Sequence, residues 1–198
     1  MRVLLLWALL IVFSADDARA RPPLECSHSG SPIVKPLSEM YEDDFGRPGL
    51  SHMTVAGATH HGMKEIEVWL QTFAPGVGTP IHRHSCEEVF IVQKGKGSLY
   101  TEAEAGKKYP GKPNEFMISL NTTFTIPVNR VHQVKNTEVE GDLQVLVIVS
   151  GPPIKVFVYK DWHTPHAAAV LQFPYPWDAP CLQHEKGNFE SDYVFDEL

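Results

Sequence analysis

Short apolar runs alternate with stretches rich in glycine, proline and asparagine between residues 67 and 159. The runs are rich in β-branched and aromatic residues and lack the period of an amphipathic helix. This pattern is typical of short strands in an antiparallel sandwich or barrel. The sequence therefore predicts an all-β domain, with strands over residues 67–73, 88–93, 98–101, 116–120, 124–127, 143–149 and 154–159.

The segments on either side of this region differ from it. Residues 21–50 predict an irregular or strand-bearing arm at the N-terminal side. After Trp162 an alanine-rich stretch predicts a short helix over 167–171, and many prolines and aromatic residues follow it. Because proline disfavours regular strands, we expect this segment to form a tail across the domain.

The first twenty residues have the layout of a secretory signal peptide. Arg2 precedes the apolar run 3–15, and the small-residue triplet Ala18-Arg19-Ala20 follows. The alternative, a membrane anchor, is disfavoured because the run is too short for a bilayer core of ~30 Å. We predict a signal peptide over 1–20, one domain over 21–183 and a polar tail over 184–198.

The formal net charge of −7 argues against nucleic acid as a partner. Phosphate binding requires a basic face, and no cluster of lysine and arginine supplies one.

A secretory route also affects the cysteines and the glycosylation sequon. The chain has three cysteines, Cys26, Cys86 and Cys181. In an oxidising compartment the simplest interpretation is one disulfide and one free thiol, with three possible pairings. Asn121-Thr122-Thr123 is an N-glycosylation sequon, so we expect a glycan on Asn121.

Residues 79–90, TPIHRHSCEEVF, concentrate histidine, cysteine and glutamate within a few positions. On a strand, residues two apart share a face, so His82 and His84 project together. Glu88 and Phe90 keep the same parity, although a turn at 85–86 interrupts the count. Two imidazoles and a carboxylate on an inner face need a metal or a charged partner, because buried charge is costly. A lone HxH pair is common at protein surfaces. The surrounding sequence pattern must therefore indicate whether this pair binds a metal.

That pattern consists of two blocks. From Gly76 to Gly95 the chain reads G-x5-H-x-H-x3-E-x6-G, and residues 127–136 read P-x-N-x2-H-x3-N. The two blocks resemble the two metal-binding motifs of the cupin superfamily. The resemblance implies a double-stranded β-helix (jelly-roll) barrel and a metal held by four residues, His82, His84, Glu88 and His132.

The chain departs from the usual second cupin motif at two positions, one before and one within residues 127–136. Asn121 and Asn129 stand where the motif usually has glycines. Asparagine is the non-glycine residue that best tolerates positive φ, so we expect both turns to survive.

A narrower resemblance covers nearly the whole mature chain. The strings LSHMTVAGA, HGMKEIEVWLQT, NTTFTIPVN, DLQVLVIVSGPPIK and FPYPWD occur in order between residues 50 and 178. Together they resemble the plant auxin-binding proteins. The resemblance implies a receptor for auxin, a small aromatic carboxylic acid, that forms a homodimer, with a membrane-protein co-receptor as a possible partner. It also implies a Cys26–Cys181 disulfide.

Three neutral imidazoles and one carboxylate suit Zn²⁺, and they would also accept Mn²⁺ or Fe²⁺. The resemblance implies zinc. A ligand carboxylate can displace water from such a metal, and a low-dielectric pocket strengthens the attraction.

The pocket walls are predicted from several features. Phe90 shares the parity of the ligands, and Thr79 and Pro80 lead into His82. Trp177 could stack on an indole ring, a contact worth about 0.5–1.5 kcal/mol beyond burial, or it could dock on the surface instead. The resemblance favours the pocket and adds three further wall residues, Leu50, Gln71 and Tyr175.

Arg47 stands where the family usually has an apolar residue, so ligand preference in this chain could differ from that of its relatives.

The competing hypothesis is a metal-dependent cupin enzyme that acts on a small organic acid. Catalysis of that kind needs a positioned acid or base or an open, redox-active ion. Glu87 has the wrong parity, and Cys86 is expected to be a buried free thiol, not a ligand. The remaining histidines are expected at the surface, namely His60, His61, His163, His166 and His184. These features favour a binding protein.

The chain ends in Phe195-Asp196-Glu197-Leu198. Retention in the endoplasmic reticulum normally requires KDEL or HDEL, and here Phe195 replaces the basic residue. We expect residence in the lumen of the endoplasmic reticulum, with some escape to the cell exterior.

Overall fold

The structure is a computed structural model that describes residues 23–26 and 32–185, with side chains to Leu182. The predicted signal peptide and the FDEL terminus lie outside these residues. In the described part of the chain, no helix is both long and apolar enough to cross a membrane.

The described residues form twelve strands and two short α-helices. The strands are β1 (Glu42–Asp43), β2 (Leu50–Ala56), β3 (Ile66–Phe73), β4 (Ile81–His84), β5 (Glu88–Lys94), β6 (Lys96–Thr101), β7 (Asn114–Ser119), β8 (Thr123–Ile126), β9 (His132–Lys135), β10 (Leu143–Ser150), β11 (Val156–Tyr159) and β12 (Val170–Gln172). The helices are α1 (Ala58–His61) and α2 (Ala179–Glu185), and short 3₁₀ turns occupy Leu37–Glu39 and His166–Ala168.

The strands form two antiparallel six-stranded sheets. The first has the order β1-β2-β3-β10-β5-β8, and the second has the order β12-β11-β4-β9-β6-β7. Strand β10 shows why the sheets pack, because Leu143, Val145, Val147 and Val149 are buried and alternate with partly exposed residues. Burial of each such side chain contributes about 1.5–3 kcal/mol. The predicted all-β jelly-roll barrel is confirmed.

Two asparagines adopt the left-handed conformation that the sequence analysis expected of them. The φ angles are 65° at Asn121 and 61° at Asn129. The backbone N–H of each asparagine forms a hydrogen bond. Asn121 donates to the Val92 carbonyl at 3.0 Å, and Asn129 donates to the His84 carbonyl at 2.8 Å. The second bond links the turn before β9 directly to β4.

The predicted helix over 167–171 is wrong. Residues His166–Ala168 form a 3₁₀ turn, and Val170–Gln172 form β12, which pairs with the edge strand β11. A helix this short is marginal without tertiary support, and Val170–Gln172 pair with the edge of β11 instead. A C-terminal helix does occur, but it is α2, further along the chain.

Strands β2, β4 and β9 lie outside the seven predicted strand segments. All three carry histidine or other polar residues on inward positions, which hides the alternation that reveals an ordinary strand. The predicted strand over 154–159 also starts later than expected, at Val156.

A disulfide joins Cys26 to Cys181 across 155 positions of sequence, and Cys86 is buried and free. This is the pairing that the family resemblance implied. It fixes the start of the domain to α2 and so ties down the C-terminal segment.

We expect Gly95→Ala to destabilise the fold more than Gly111→Ala. Both glycines have positive φ, 78° and 74°, so both substitutions strain the backbone. A Cβ at residue 95 would also lie 2.1 Å from the carbonyl oxygen of Asp142, whereas nothing lies within 4 Å at residue 111. Urea unfolding should show an additional loss of about 1–3 kcal/mol for Gly95→Ala. Equal losses for the two variants would contradict this account of the β5–β6 turn.

Candidate metal centre and ligand pocket

Four buried side chains from three strands meet inside the barrel. Strand β4 provides His82 and His84, β9 begins at His132, and β5 on the facing sheet begins at Glu88. Their ligand atoms all lie within 4.8 Å of one another. The bend at 85–86 carries the chain from one sheet to the other, which is why strand parity alone could not place the carboxylate. The structure thus brings together the four residues that the motifs indicated.

Each of the three imidazoles is oriented by a backbone carbonyl two residues away. The Nδ1–H groups donate at 2.9, 2.9 and 3.0 Å to the carbonyl oxygens of Pro80, Cys86 and Arg130. An imidazole that donates from Nδ1 keeps the lone pair on Nε2. This arrangement is usual for histidines that bind a metal through Nε2.

The atoms at the centre lack partners of their own. His84 Nε2 and His132 Nε2 lie 2.9 and 3.0 Å from Glu88 Oε2. These contacts do not have hydrogen-bond geometry, so within the described chain all three atoms are buried and unsatisfied. Such burial is costly unless another group compensates. A divalent cation among these atoms would satisfy all of them, so the residues fit a metal ion.

The electrostatics of the centre agree with that fit. Burial raises the pKa of Glu88, but the close approach of His84 and His132 outweighs burial and holds the pKa below its usual range. Burial lowers the pKa of His84, but Glu88 outweighs burial and raises it to about 10. Burial, reinforced by His132, holds the pKa of His82 well below its usual value. A proton on His84 therefore balances Glu88 without metal, and a divalent ion would replace that proton.

Three of the four candidate ligands, His82, His84 and Glu88, line a cavity inside the barrel. Five predicted wall residues line it, namely Gln71, Thr79, Phe90, Tyr175 and Trp177. Four further residues of the lining were not predicted from the sequence, namely Trp69, Val147, Ile154 and Val156.

The other two predicted wall residues, Leu50 and Pro80, do not line this cavity. Leu50 packs in the apolar core and pairs with Phe73, and Pro80 offers its carbonyl oxygen to His82.

Trp177 forms a buried wall of this cavity, with only 3% of its surface exposed. Its ring stacks on His52 at a centroid distance of 3.7 Å and meets Tyr175 edge-on at 4.2 Å. Burial, then the charges of His60 and Arg47, holds the pKa of His52 well below its usual value, so the stacked imidazole is neutral. The pocket interpretation of Trp177 therefore replaces the alternative of a ring docked on the surface.

His60 anchors the segment that carries Trp177. It is buried, and its Nε2–H donates to the Trp177 carbonyl at 2.9 Å. The neighbouring Thr59 hydroxyl donates to Asp178 Oδ1 at 2.8 Å, and burial raises the pKa of Asp178 to about 6. The expectation that His60 lies at the surface is wrong, because α1 packs beneath the tail.

Glu67 extends this polar anchor beneath the aromatic wall. Its carboxylate accepts the indole N–H of Trp69 and the backbone N–H of Ala58, both at 3.0 Å. Burial, followed by the charge of Asp178, raises the pKa of Glu67 to about 7.

Three residues near the centre are placed differently from the ligands. Glu87 is exposed, as its parity predicted. The Cys86 thiol lies 3.2 Å from His84 Nδ1, on the nitrogen that faces away from the centre, so it supports the imidazole from behind. Arg47 donates to the Gly78 carbonyl at 2.8 Å, and its charge acts on Tyr175 and His52, next to the aromatic wall.

Residues 23–190 match the model of a family described as auxin binding protein. The chain is 58% identical over 179 residues to Auxin-binding protein 1 of Arabidopsis thaliana, covering 90% of this chain and 88% of that one. It is 61% identical over 175 residues to Auxin-binding protein T92 of Nicotiana tabacum, covering 88% and 92%. Among solved structures, an RmlC-like cupin from Shewanella frigidimarina has a TM-score of 0.50 at 14% identity. That match covers 62% of this chain and 94% of the other, and it shows a shared fold alone.

The family match, the two relatives and the barrel with its four-residue centre agree with one another, and this chain belongs to the auxin-binding protein family.

Proposed function

We propose that this protein binds auxin, indole-3-acetic acid, through the carboxylate of the ligand at a zinc ion held by four residues, His82, His84, Glu88 and His132. One observation carries the proposal. Three of the cluster's ligand atoms are buried without hydrogen-bond partners, and the cluster borders a cavity with aromatic and aliphatic walls.

The charge balance of the centre favours an anionic ligand. The four ligands carry one negative charge between them, so a divalent ion would retain a net positive charge. Such an ion, when bound, supplies an exchangeable position for a carboxylate. A set of three nitrogens and one carboxylate oxygen suits zinc, and it also accepts manganese or iron.

The apolar walls suit the other end of the ligand. Phe90 stacks on Phe124 at a centroid distance of 4.6 Å, and Ile154 and Val156 add aliphatic surface. Trp177 and Tyr175 form the aromatic side. An indole ring can therefore pack against these groups while its acidic side chain reaches the base of the cavity.

The pocket favours binding over catalysis. Of the described residues that line it, four titrate, and three of these are metal-ligand candidates. The fourth is Tyr175, and burial raises the pKa of its hydroxyl to about 12, so it stays protonated near neutral pH. No wall residue apart from the ligands can then accept a proton from a substrate.

Membership of the family supports further proposals. We propose that the protein acts as an auxin receptor and homodimer in the lumen of the endoplasmic reticulum, with partial escape to the cell exterior. A membrane-protein co-receptor would relay the signal. Asn121, in an exposed turn, is the proposed glycosylation site.

Removal of the metal should abolish tight ligand binding. Calorimetric titration of the secreted, zinc-loaded protein with indole-3-acetic acid should show a fall in affinity of about 100-fold or more after chelation, equivalent to about 2.7 kcal/mol. Indole-3-ethanol, which lacks the carboxylate, serves as the control and should bind weakly whether or not zinc is present. Equal affinity for the acid with and without zinc would overturn the proposal. Turnover of a small acid by the metal-loaded protein would favour the enzyme instead.

Loss of the Trp177 ring should weaken auxin binding and leave metal binding intact. Trp177→Phe should lower auxin affinity several-fold and Trp177→Ala about 10-fold or more, because ring contacts are lost. Phe173→Ala is the matched control, since that ring belongs to the same segment but is 41% exposed. Calorimetry measures both affinities, and thermal melts check folding. Unchanged auxin affinity in a folded Trp177→Phe and Trp177→Ala pair would exclude Trp177 from the site.

A further inference from the structure

We propose that Glu102 is a positioning residue for His132, and that it acts with Arg83 from the outer side of the sheet to hold the two ligand-bearing segments together. The inference rests on the proposed metal site. It concerns residues that neither touch the ligand atoms nor line the pocket.

Backbone hydrogen bonds join the two ligand-bearing segments mainly at their ends: the Thr79 N–H donates to the Val134 carbonyl at 2.8 Å, and the Asn129 N–H donates to the His84 carbonyl at 2.8 Å. In the described chain, β4 and β9 share one paired position, His82 with His132. By contrast, β9 pairs with β6 at four positions and β3 pairs with β10 at eight. Metal ligands need placement within about 0.5 Å. Side-chain contacts near His132 add to these backbone bonds in setting the distance between the histidines of the two motifs.

Glu102 provides the first of these interactions. It follows β6, and only 4% of its surface is exposed. Its Oε1 accepts the backbone N–H of Val131 at 3.2 Å, and its own N–H donates to the Val131 carbonyl at 2.9 Å. Arg130 Nη1 lies 3.5 Å from the same carboxylate oxygen. Glu102 thus holds the two residues that directly precede His132.

This contact reaches the metal ligand through the backbone. The carbonyl oxygen of Arg130 accepts the Nδ1–H of His132 at 3.0 Å, and that bond sets the direction of Nε2. A shift of the 130–131 peptide would rotate the imidazole. The carboxylate of Glu102 therefore controls the aim of His132 without contact with the centre.

Arg83 provides the second interaction. It lies between His82 and His84 on β4 and faces outward. Its Nη1 donates to Asn129 Oδ1 at 3.1 Å, and the Asn129 N–H donates to the His84 carbonyl at 2.8 Å. The turn before His132 is thus bonded to the strand that carries the other two histidines.

Tyr159 and His166 connect the two interactions. Arg83 Nε donates to the Tyr159 hydroxyl at 2.8 Å, and that hydroxyl donates to His166 Nδ1 at 2.7 Å. His166 Nε2 lies 3.9 Å from Glu102 Oε2. A buried carboxylate has a substantial desolvation cost, so its retention here fits a demand for precise geometry.

Zinc affinity measured by competition with a chromogenic chelator tests the inference. Glu102→Ala should weaken zinc binding about 10–100-fold, the usual effect of losing a group that orients a ligand. Glu102→Gln keeps an acceptor for the Val131 N–H and should recover part of the loss. Glu104→Ala, which removes an exposed carboxylate two positions away, should bind zinc as the wild type does.

Thermal melts separate positioning from general stabilisation. A merely structural role predicts equal falls in Tm with and without zinc, whereas positioning predicts a smaller zinc-induced rise in Tm. If Glu102→Ala does not fold, Asn129→Gly replaces it, because glycine suits the left-handed turn but removes the acceptor for Arg83. That variant should also weaken zinc binding.

The outcomes distinguish the inference from the proposed function. Wild-type zinc affinity and an unchanged zinc-induced rise in Tm in these variants would overturn the positioning role alone. A wild-type protein that binds no zinc would overturn the proposed function itself.

Discussion

The attraction between one buried carboxylate and three buried imidazoles, drawn from two facing sheets, is the constraint on which the rest of this barrel depends. Glu88 comes from one sheet, and the three histidines come from the other. Burying such a group is costly without a compensating charge. The need to place these four side chains explains three other features of the barrel. They are the carbonyls that accept each Nδ1–H, the bend at 85–86 and the outer contacts of Glu102 and Arg83.

A second set of contacts controls the aromatic side of the pocket. Trp177 belongs to a segment with little regular structure, so its position depends on side-chain anchors and on the Cys26–Cys181 disulfide. The anchoring side chains, Thr59, His60 and Asp178, are themselves buried and polar. Their desolvation lowers the stability of this part of the fold. These contacts hold the indole of Trp177 against His52 and Tyr175, in the wall of the cavity that three of the candidate ligands also line. A rigid aromatic wall of this kind reduces the entropy lost when a flat ligand binds.

Much of the site could be predicted because its signals are local in sequence. The spacing of His82 and His84 fits strand geometry, the motif spacing adds Glu88, and Asn129 replaces glycine with the residue that best tolerates a left-handed turn. Other parts depend on contacts distant in sequence. His52 and His60 carry no motif and become buried only when the tail packs on them, and Glu102 acquires its role only when β6 lies beside β9. Strand β12 forms because β11 offers an open edge for pairing. The three residues of β12 do not by themselves indicate a strand.

The central claim is that a metal in this centre binds the carboxylate of the ligand directly. X-ray absorption at the zinc edge, recorded on the zinc-loaded protein with and without indole-3-acetic acid, tests it most directly. The account predicts three imidazole nitrogens and the Glu88 carboxylate in both samples, with an additional carbon signal from a second carboxylate when auxin is present. A spectrum that auxin leaves unchanged, in a sample shown by calorimetry to be saturated, would contradict the account.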